Sequence, residues 1–133
     1  MIFVIDASAV IDLLARSDAG ELVRRLLAAT PDATLVTAAH LDAEVFSGLA
    51  RLHRADALSA DEVGELLRRL AILDVQRVPI NGDLLAAAWR MRDNVAARDA
   101  LYVAVARGLG GTLLTTDERL ARAVPDVAAD LGA

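Results

Sequence analysis

The sequence predicts an α/β domain built around a mostly parallel sheet. Short apolar runs alternate along the chain with longer segments whose apolar residues recur at helical spacing. The first short run, Ile2–Ile5, is apolar throughout, which is typical of a strand buried on both faces. Because no repeat, low-complexity stretch or linker interrupts the alternation, we expect one domain over residues 1–133.

Helix caps and breakers divide the first half of the chain. Asp18-Ala19-Gly20-Glu21 has the spacing of a capping box, and Pro31 ends the helix that follows it. Ser59-Ala60-Asp61-Glu62 is a second and cleaner capping box. The predicted elements are a strand at Ile2–Ile5, a helix at Ser8–Ala15, a helix from Ser17 or Asp18 to before Thr30, a strand at Thr34–Thr37, a helix at about His40–Arg54 and a helix from Ser59 through Leu70.

The second half continues the same alternation. Asn81 is suited to cap a helix, and the glycines that begin at Gly108 are suited to end one. The tail Asp126–Ala133 carries only a weak pattern, which leaves a last strand open. The predicted elements are a strand at Val75–Ile80, a helix from Asn81 to about Arg92, a helix at Ala97–Arg107, a strand at Thr112–Thr115 and a short helix from Asp117 to about Ala123.

The composition excludes several classes of protein. The chain has no Cys, so a disulfide framework, a thiolate zinc site and a Cys nucleophile are excluded. All 14 basic residues are Arg, and the absence of Lys excludes a P-loop lysine and Schiff-base chemistry. The net charge of −5 argues against coating nucleic acid by bulk charge. Without a membrane span or a signal peptide in the pattern, we expect a cytoplasmic protein with no membrane partner.

Four carboxylates are predicted near one edge of the sheet. Asp6 follows the first strand and Asp117 follows the fourth, and the carboxyl ends of parallel strands share an edge. Asp99 and Glu44 lie in the first turns of two predicted helices. Each has a simpler interpretation as well, because Asp6 and Asp117 can cap helices, Asp99 can complement a helix dipole and Glu44 can face solvent.

Carboxylates gathered at one place require compensating cations. Mutual repulsion raises their pKa values and destabilises the fold unless positive charge is supplied. Mg²⁺ and Mn²⁺ are hard cations that prefer oxygen ligands, and they leave coordination positions open for water and phosphate oxygens. The acidic pattern therefore predicts a site for Mg²⁺, with Mn²⁺ as the alternative, and a substrate that carries phosphate.

Four motifs in order resemble those of PIN-domain ribonucleases. Val4–Ala9 resembles the first motif of that family, and Ala38–Val45 resembles the helix that carries its second acid. Asp99–Ala106 is similar to the third motif, and Leu113–Leu120 is similar to the fourth. Their order, spacing and total length suit the VapC-type toxins of toxin–antitoxin pairs, and the resemblance covers essentially the whole chain.

The resemblance implies a fold and an activity. The fold would be a PIN-like three-layer α/β/α domain with a mostly parallel sheet of four or five strands. The activity would be metal-dependent endoribonuclease cleavage of RNA, in which a metal-activated water hydrolyses the phosphodiester bond. The partners would be the RNA substrate and a cognate antitoxin, and the chain would form a homodimer or a hetero-oligomer with the antitoxin.

The resemblance also assigns roles to individual residues. Asp6 and Asp99 would be the main metal ligands, and Glu44 and Asp117 would help to ligate a metal or orient the attacking water. Asp6, Glu44, Asp99 and Asp117 together would form the catalytic and metal-binding set. Ser8 and Thr116 are candidates for hydrogen bonds that support these ligands.

The stretch before Asp99 departs from the family pattern. Ala96 and Arg98 stand where the family often has a hydroxyl residue and an aromatic residue. Arg98 is a candidate to pair with Asp99 when no metal is bound, or to contact substrate phosphate. This departure concerns the substrate contacts more than the metal site.

Several other polar and aromatic residues have simple interpretations. Asp12 and Asp42 are predicted to be solvated, with a contact to an antitoxin open for Asp12, and the Arg24–Arg25 and Arg68–Arg69 pairs are predicted to be solvated or ion-paired. His40 and His53 lack a metal-ligand spacing, which favours caps or surface positions. For Trp89 and Tyr102, packing in the core or in a dimer is favoured over stacking on RNA bases.

Other functions remain as alternatives. A PIN-like nuclease of housekeeping RNA processing would carry the same four acids, and a degenerate PIN domain would act only as a scaffold or RNA-binding module. A phosphatase with an Asp nucleophile is disfavoured, because Ser8 stands where the haloacid-dehalogenase pattern has a second Asp and the chain has no Lys.

Overall fold

Four strands form one parallel sheet in the order β3-β2-β1-β4. The structure is a computed structural model, and it describes residues 1–132. The elements in chain order are β1 (Ile2–Ile5), α1 (Ala7–Ala15), α2 (Asp18–Ala29), β2 (Thr34–Ala38), α3 (Leu41–Arg54), α4 (Ala60–Ala71), β3 (Gln76–Val78), α5 (Gly82–Trp89), α6 (Ala97–Leu109), β4 (Thr112–Leu114) and α7 (Glu118–Ala123).

The sheet register brings the ends of β1 and β4 together. Val4 pairs with Val36 of β2 on one side and with Leu113 of β4 on the other. The backbone amide of Asp6 then donates to the Leu114 carbonyl at 3.1 Å, which extends the ladder by one residue. The first residues after both strands therefore lie at the same carboxyl edge of the sheet.

The helices complete the predicted three-layer α/β/α domain. Helix α6 packs across β1, β2 and β4, and α5 packs against α6. Helix α1 packs against α2, α3 and α4. Val4, Ile5 and Tyr102 are among the fully buried side chains, so the central strand and α6 form the middle of the core. No helix within the described range has the length and apolar character needed to cross a membrane.

Most predicted element bounds agree with the structure, and the exceptions have local causes. The predicted strand Val75–Ile80 is shorter, because Pro79 has no amide hydrogen and β3 ends at Val78. Helix α5 ends at Trp89 rather than near Arg92, and tight turns follow it in which Arg92 N–H donates to the Trp89 carbonyl.

The predicted capping boxes have different outcomes. Ser59 and Glu62 form the reciprocal capping box, as predicted. The box predicted at Asp18–Glu21 is wrong, because Ser17 is the cap and accepts from the Gly20 amide. Glu21 instead pairs with Arg24 at 2.6 Å.

The tail adds a short parallel contact at the open edge of β4. Leu113 N–H donates to the Val127 carbonyl at 2.8 Å, and Ala129 N–H donates to the Leu113 carbonyl at 2.9 Å. This single bridge takes the position that a fifth strand would occupy. The last predicted residue of the tail, Ala133, lies outside the described residues.

Candidate active site

Asp6 is a buried carboxylate held at the junction of β1 and α1. The residue is 2% exposed. Its Oδ1 accepts from Ala9 N at 2.9 Å and from Ser8 Oγ at 2.7 Å. It therefore caps α1, as the simpler interpretation predicted. Burial raises the pKa of Asp6 to about 6, because hydrogen bonds from Thr115, Ala9 and Ser8 only partly offset the loss of water, and the nearby charge of Asp99 adds to the increase.

Ser8 connects Asp6 to the end of β4. Its hydroxyl lies 3.1 Å from Thr115 Oγ1 and accepts from Thr116 N at 3.2 Å. Thr115 Oγ1 in turn accepts from Asp117 N at 3.1 Å. The supporting hydroxyl is thus that of Thr115, and Thr116 takes part through its backbone amide. This network joins the segment after β1, which carries Asp6, to the segment after β4, which carries Asp117.

Asp117 is the N-cap of α7. Its Oδ1 accepts from Arg119 N at 3.0 Å and from Leu120 N at 3.2 Å. The residue is exposed, so its carboxylate borders solvent while the cap fixes its orientation. The cap and a role in a site are therefore compatible for this residue.

Asp99 interacts electrostatically with two other acids, Asp117 and Glu44. Burial raises the pKa of Asp99 above its ordinary value, and the negative charges of Asp117 and Glu44 raise it further. The positive charge of Arg98 acts in the opposite direction. The charge of Asp99 also raises the pKa of Asp6. Asp99 therefore interacts electrostatically with all three of the other predicted acids.

Glu44 is held by donors from two helices. Tyr102 Oη donates to Glu44 Oε1 at 2.6 Å, and His40 Nε2 lies 3.3 Å from the same oxygen. Burial alone would raise the pKa of Glu44, but the bonds from His40 and Tyr102, together with the nearby charges of His40 and Arg98, outweigh burial, and the pKa lies below its ordinary value. The charged form of Glu44 is therefore favoured by its surroundings, whereas burial disfavours the charged forms of Asp6 and Asp99.

Arg98 pairs with a different acid from the one considered in the sequence. Its Nε lies 3.4 Å from Glu44 Oε2, and Asp99 is not within ion-pairing distance among residues 1–132. The Arg98 side chain is 69% exposed and that of Glu44 is 14% exposed, so solvent reaches the arginine side of the pair. Such an exposed pair is weak and easily exchanged.

His40 and Tyr102 are site residues that the sequence interpretation missed. His40 is at the cap position of α3 but makes no side-chain cap, and its ring stacks on Tyr102 with centroids 4.4 Å apart. Its Nε2 lies 3.0 Å from the Arg98 carbonyl oxygen, and its buried Nδ1 has no hydrogen-bond partner in the described chain. The prediction of a cap or surface histidine is wrong here. Tyr102 follows Asp99 by three residues, and that spacing could have revealed it.

The remaining residues give mixed outcomes. Tyr102 is fully buried, so core packing is confirmed for it. Trp89 is 66% exposed, so core packing is wrong for that residue and packing in a dimer stays a prediction. Asp42 pairs with Arg77 at 2.6 Å rather than being free in solvent. Asp12 accepts from Ser17 Oγ at 2.9 Å.

The two predicted arginine pairs are ion-paired, as expected, and they comprise Arg24, Arg25, Arg68 and Arg69. His53 is an exposed residue whose Nδ1 lies 2.9 Å from the Leu58 carbonyl oxygen.

The carboxylate oxygens of the four acids are suited to a hard cation, although the side chains do not surround a single cation position. No three His, Asp or Glu side chains of residues 1–132 stand close enough together to hold one ion. The facing groups are carboxylates, and Mg²⁺ typically takes one or two carboxylates while water completes its octahedron. The repulsion felt by Asp99 is also what a bound cation would relieve.

Comparisons with known proteins show the family to which the chain belongs. The model of the PIN domain matches residues 3–124. Ribonuclease VapC3 of Mycobacterium tuberculosis is 50% identical over 123 residues, which cover 92% of this chain and 87% of the relative. Ribonuclease VapC1 of the same organism is 40% identical, over 90% of this chain and 89% of the relative.

A solved structure shows the same fold. The crystal structure of Mycobacterium tuberculosis VapC20, a toxin that cleaves the sarcin–ricin loop, superposes with a TM-score of 0.67 at 22% identity. The match covers 92% of this chain and 95% of that one. Taken with the motifs and the sheet order, these findings assign the chain to the PIN-domain family and, within it, to the VapC ribonucleases.

Proposed function

We propose that this protein is a metal-dependent endoribonuclease that acts as the toxin of a toxin–antitoxin pair. The observation that carries the proposal is the electrostatic contact of Asp99 with Asp117, Glu44 and Asp6 at one edge of the sheet. The negative charges of Asp117 and Glu44 raise the pKa of Asp99, and that of Asp99 raises the pKa of Asp6, and such repulsion is costly to keep unless a cation and a phosphate substrate use it.

The residues divide into ligands and supports. We infer that Asp6 and Asp99 hold the cation, and that Glu44 and Asp117 help to hold it or orient the attacking water. The chemistry that bound Mg²⁺ or Mn²⁺ supplies is acidification of water and neutralisation of charge on the phosphodiester. Ser8 and Thr115 fix Asp6 and Asp117, while Tyr102 and His40 fix Glu44.

An antitoxin and a second copy of the chain are the proposed protein partners. The relatives are VapC ribonucleases, and the sequence motifs suit the toxins of such pairs. The exposed side chains of Leu85 and Trp89 on α5 form an apolar surface that a homodimer or a hetero-oligomer with the antitoxin would cover. An RNA substrate also agrees with the cytoplasmic location expected from the sequence.

A cleavage assay tests the enzymatic part of the proposal. The purified protein is incubated with structured RNA in Mg²⁺, in Mn²⁺ and in EDTA, beside Asp6→Asn and the surface control Asp61→Asn. We expect the native protein and Asp61→Asn to cut the RNA only when the cation is present, and Asp6→Asn to be inactive. Cutting that persists in EDTA, or in Asp6→Asn, would refute the mechanism. A protein that binds RNA without cutting it would favour the degenerate module.

A growth assay tests the toxin part. Expression of the chain without a partner is expected to slow growth, whereas Asp99→Asn at equal protein level is expected to be harmless. If the native chain cleaves RNA in vitro but leaves growth unchanged, a housekeeping RNA-processing nuclease becomes the better assignment.

A further inference from the structure

A polar cavity opens beside the acidic site on the side of α7. It has a volume of about 480 Å³, and Asp99 and Asp117 are in its wall. The other walls come from the turn between α5 and α6 and from the first turn of α7. Arg92 stands on one of these walls and Arg119 on the other. We call this cavity the Arg92–Arg119 groove.

Neither Arg92 nor Arg119 forms an ion pair with a carboxylate of residues 1–132. Of the 14 arginines, eight lie within 4.0 Å of a carboxylate oxygen among residues 1–132, and Arg92 and Arg119 are not among them. Both residues are exposed. Arg92 donates from Nη1 to the Trp89 carbonyl at 3.1 Å, and its guanidinium lies over the Trp89 ring. These contacts orient Arg92 without neutralising it.

The formal charge of the groove would change sign if a divalent cation were bound to its carboxylates. Its walls carry two guanidinium groups and three carboxylates, those of Asp93, Asp99 and Asp117, which gives a formal charge of −1. A divalent cation on Asp99 and its neighbours brings the formal charge to +1. The groove is then suited to an anion that also reaches the acidic site, as a polynucleotide backbone does.

We propose that the Arg92–Arg119 groove binds the phosphate backbone of the RNA strand next to the bond that is cut. This inference rests on the proposed ribonuclease function. Arg92 and Arg119 would each contact a phosphate oxygen through a charge-assisted hydrogen bond, and Asp99 in the wall of the groove would lie beside the reacting phosphodiester. An acidic polypeptide fits less well, because its carboxylates would face Asp93, Asp99 and Asp117 without supplying a phosphate to the cation.

Binding of a labelled single-stranded RNA tests the proposal. Fluorescence anisotropy is measured in Ca²⁺ over a series of salt concentrations, and a denaturing gel verifies that the RNA is intact afterwards. Arg92→Ala and Arg119→Ala are compared with Arg54→Ala, an exposed and unpaired arginine at the opposite end of α3 from Glu44. Circular dichroism and Ca²⁺ titration verify that each variant is folded and still binds the cation.

The expected result separates the groove arginines from the control. Each groove variant should raise the RNA dissociation constant by roughly three- to tenfold. It should also make the log–log salt dependence shallower by about 0.7, the value for one phosphate contact on a single strand. Arg54→Ala should change neither quantity.

The contrary outcomes are distinct. Folded groove variants with native RNA affinity and salt slope would overturn the groove assignment while leaving the ribonuclease proposal intact. A native protein that neither cuts nor binds RNA would overturn the ribonuclease proposal itself. If oligo-glutamate bound the native protein more tightly than RNA and lost affinity in the same variants, the groove would belong to an acidic polypeptide and the RNA assignment would be wrong.

Discussion

The hydroxyl of Tyr102 on α6 donates at 2.6 Å to Oε1 of Glu44, which lies in the first turn of α3. The tyrosine is completely buried, and burial together with its bond to Glu44 raises the pKa of Tyr102 well above its usual range. The hydroxyl of Tyr102 is therefore protonated near neutral pH and can donate to Glu44 there. Because Glu44 receives this bond on Oε1, the position of its carboxylate is set by the core and not by a mobile surface chain.

Replacement of Tyr102 by Phe tests whether its hydroxyl positions the Glu44 carboxylate or only stabilises the fold. Tyr102→Phe keeps the ring and its stacking on His40 but removes the donor, so we expect a loss of about 1–3 kcal/mol in the free energy of unfolding. The pKa of Glu44 should rise, since a bond to its charged form is lost. Mn²⁺ affinity measured by calorimetry should fall by about tenfold, the usual effect of removing a support to a ligand.

Thr30→Val is a suitable control for the tyrosine variant. It also removes one hydroxyl, which donates to the Leu26 carbonyl at the end of α2. It should lower stability without changing Mn²⁺ affinity. If Tyr102→Phe destabilises the protein but binds Mn²⁺ as the native chain does, Tyr102 has no positioning role.

The raised pKa of Asp6 predicts a pH-dependent cost to stability. The folded pKa is about 6 and the ordinary value is 3.8, so between these values the folded state holds a proton that the unfolded chain has released. The contribution of Asp6 to the free energy of unfolding therefore falls as pH rises through this window, by about 3 kcal/mol at most. In EDTA, Asp6→Asn should be more stable than the native protein above the Asp6 pKa, and the gain should shrink on acidification.

Urea unfolding on both sides of the Asp6 pKa measures this effect. Asp61→Asn on the exposed first turn of α4 changes the net charge equally and should show no comparable gain. A stability difference between native and Asp6→Asn that is constant over the whole window would contradict the buried charge inferred for Asp6.

A pair of glycine substitutions tests the packing that supports the site. A Cβ on Gly20 would lie 2.0 Å from the Asp12 carbonyl oxygen, so α2 could not pack against α1 as it does. Gly20→Ala should cost about 2–3 kcal/mol of stability. A Cβ on Gly64 meets only Arg68 Nη1 at 3.9 Å, and Gly64→Ala should instead stabilise α4 by about 0.5–1 kcal/mol. Equal thermal shifts for the two variants would show that the α1–α2 contact is looser than described.

The sequence predicted the fold and the position of the acids because both depend on local patterns. Buried strands read as continuous apolar runs, and parallel strands require that Asp6 and Asp117 meet at one edge. The predicted strand Val75–Ile80 runs past Pro79, but a residue without an amide hydrogen cannot donate to the ladder, and β3 ends at Val78.

The contacts between distant elements could not be predicted in the same way. Tyr102 and His40 are separated by 62 positions, and only the folded chain brings α6 close enough to the start of α3 for the two rings to stack beside Glu44. Thr115 and Thr116 are adjacent hydroxyl residues, and which of them reaches Ser8 depends on the backbone path after β4. The partner of Arg98 was likewise set by the position of α3 and not by its neighbour in the chain.

Titration of the protein with Mn²⁺ by isothermal calorimetry is the most direct test of the central claim, that these carboxylates form a cation site. Native protein, Asp99→Asn and Asp61→Asn are compared under one condition. The account predicts saturable binding to the native chain and to Asp61→Asn, and affinity at least about tenfold weaker in Asp99→Asn. Native affinity in Asp99→Asn, or no binding to the native chain, would contradict it.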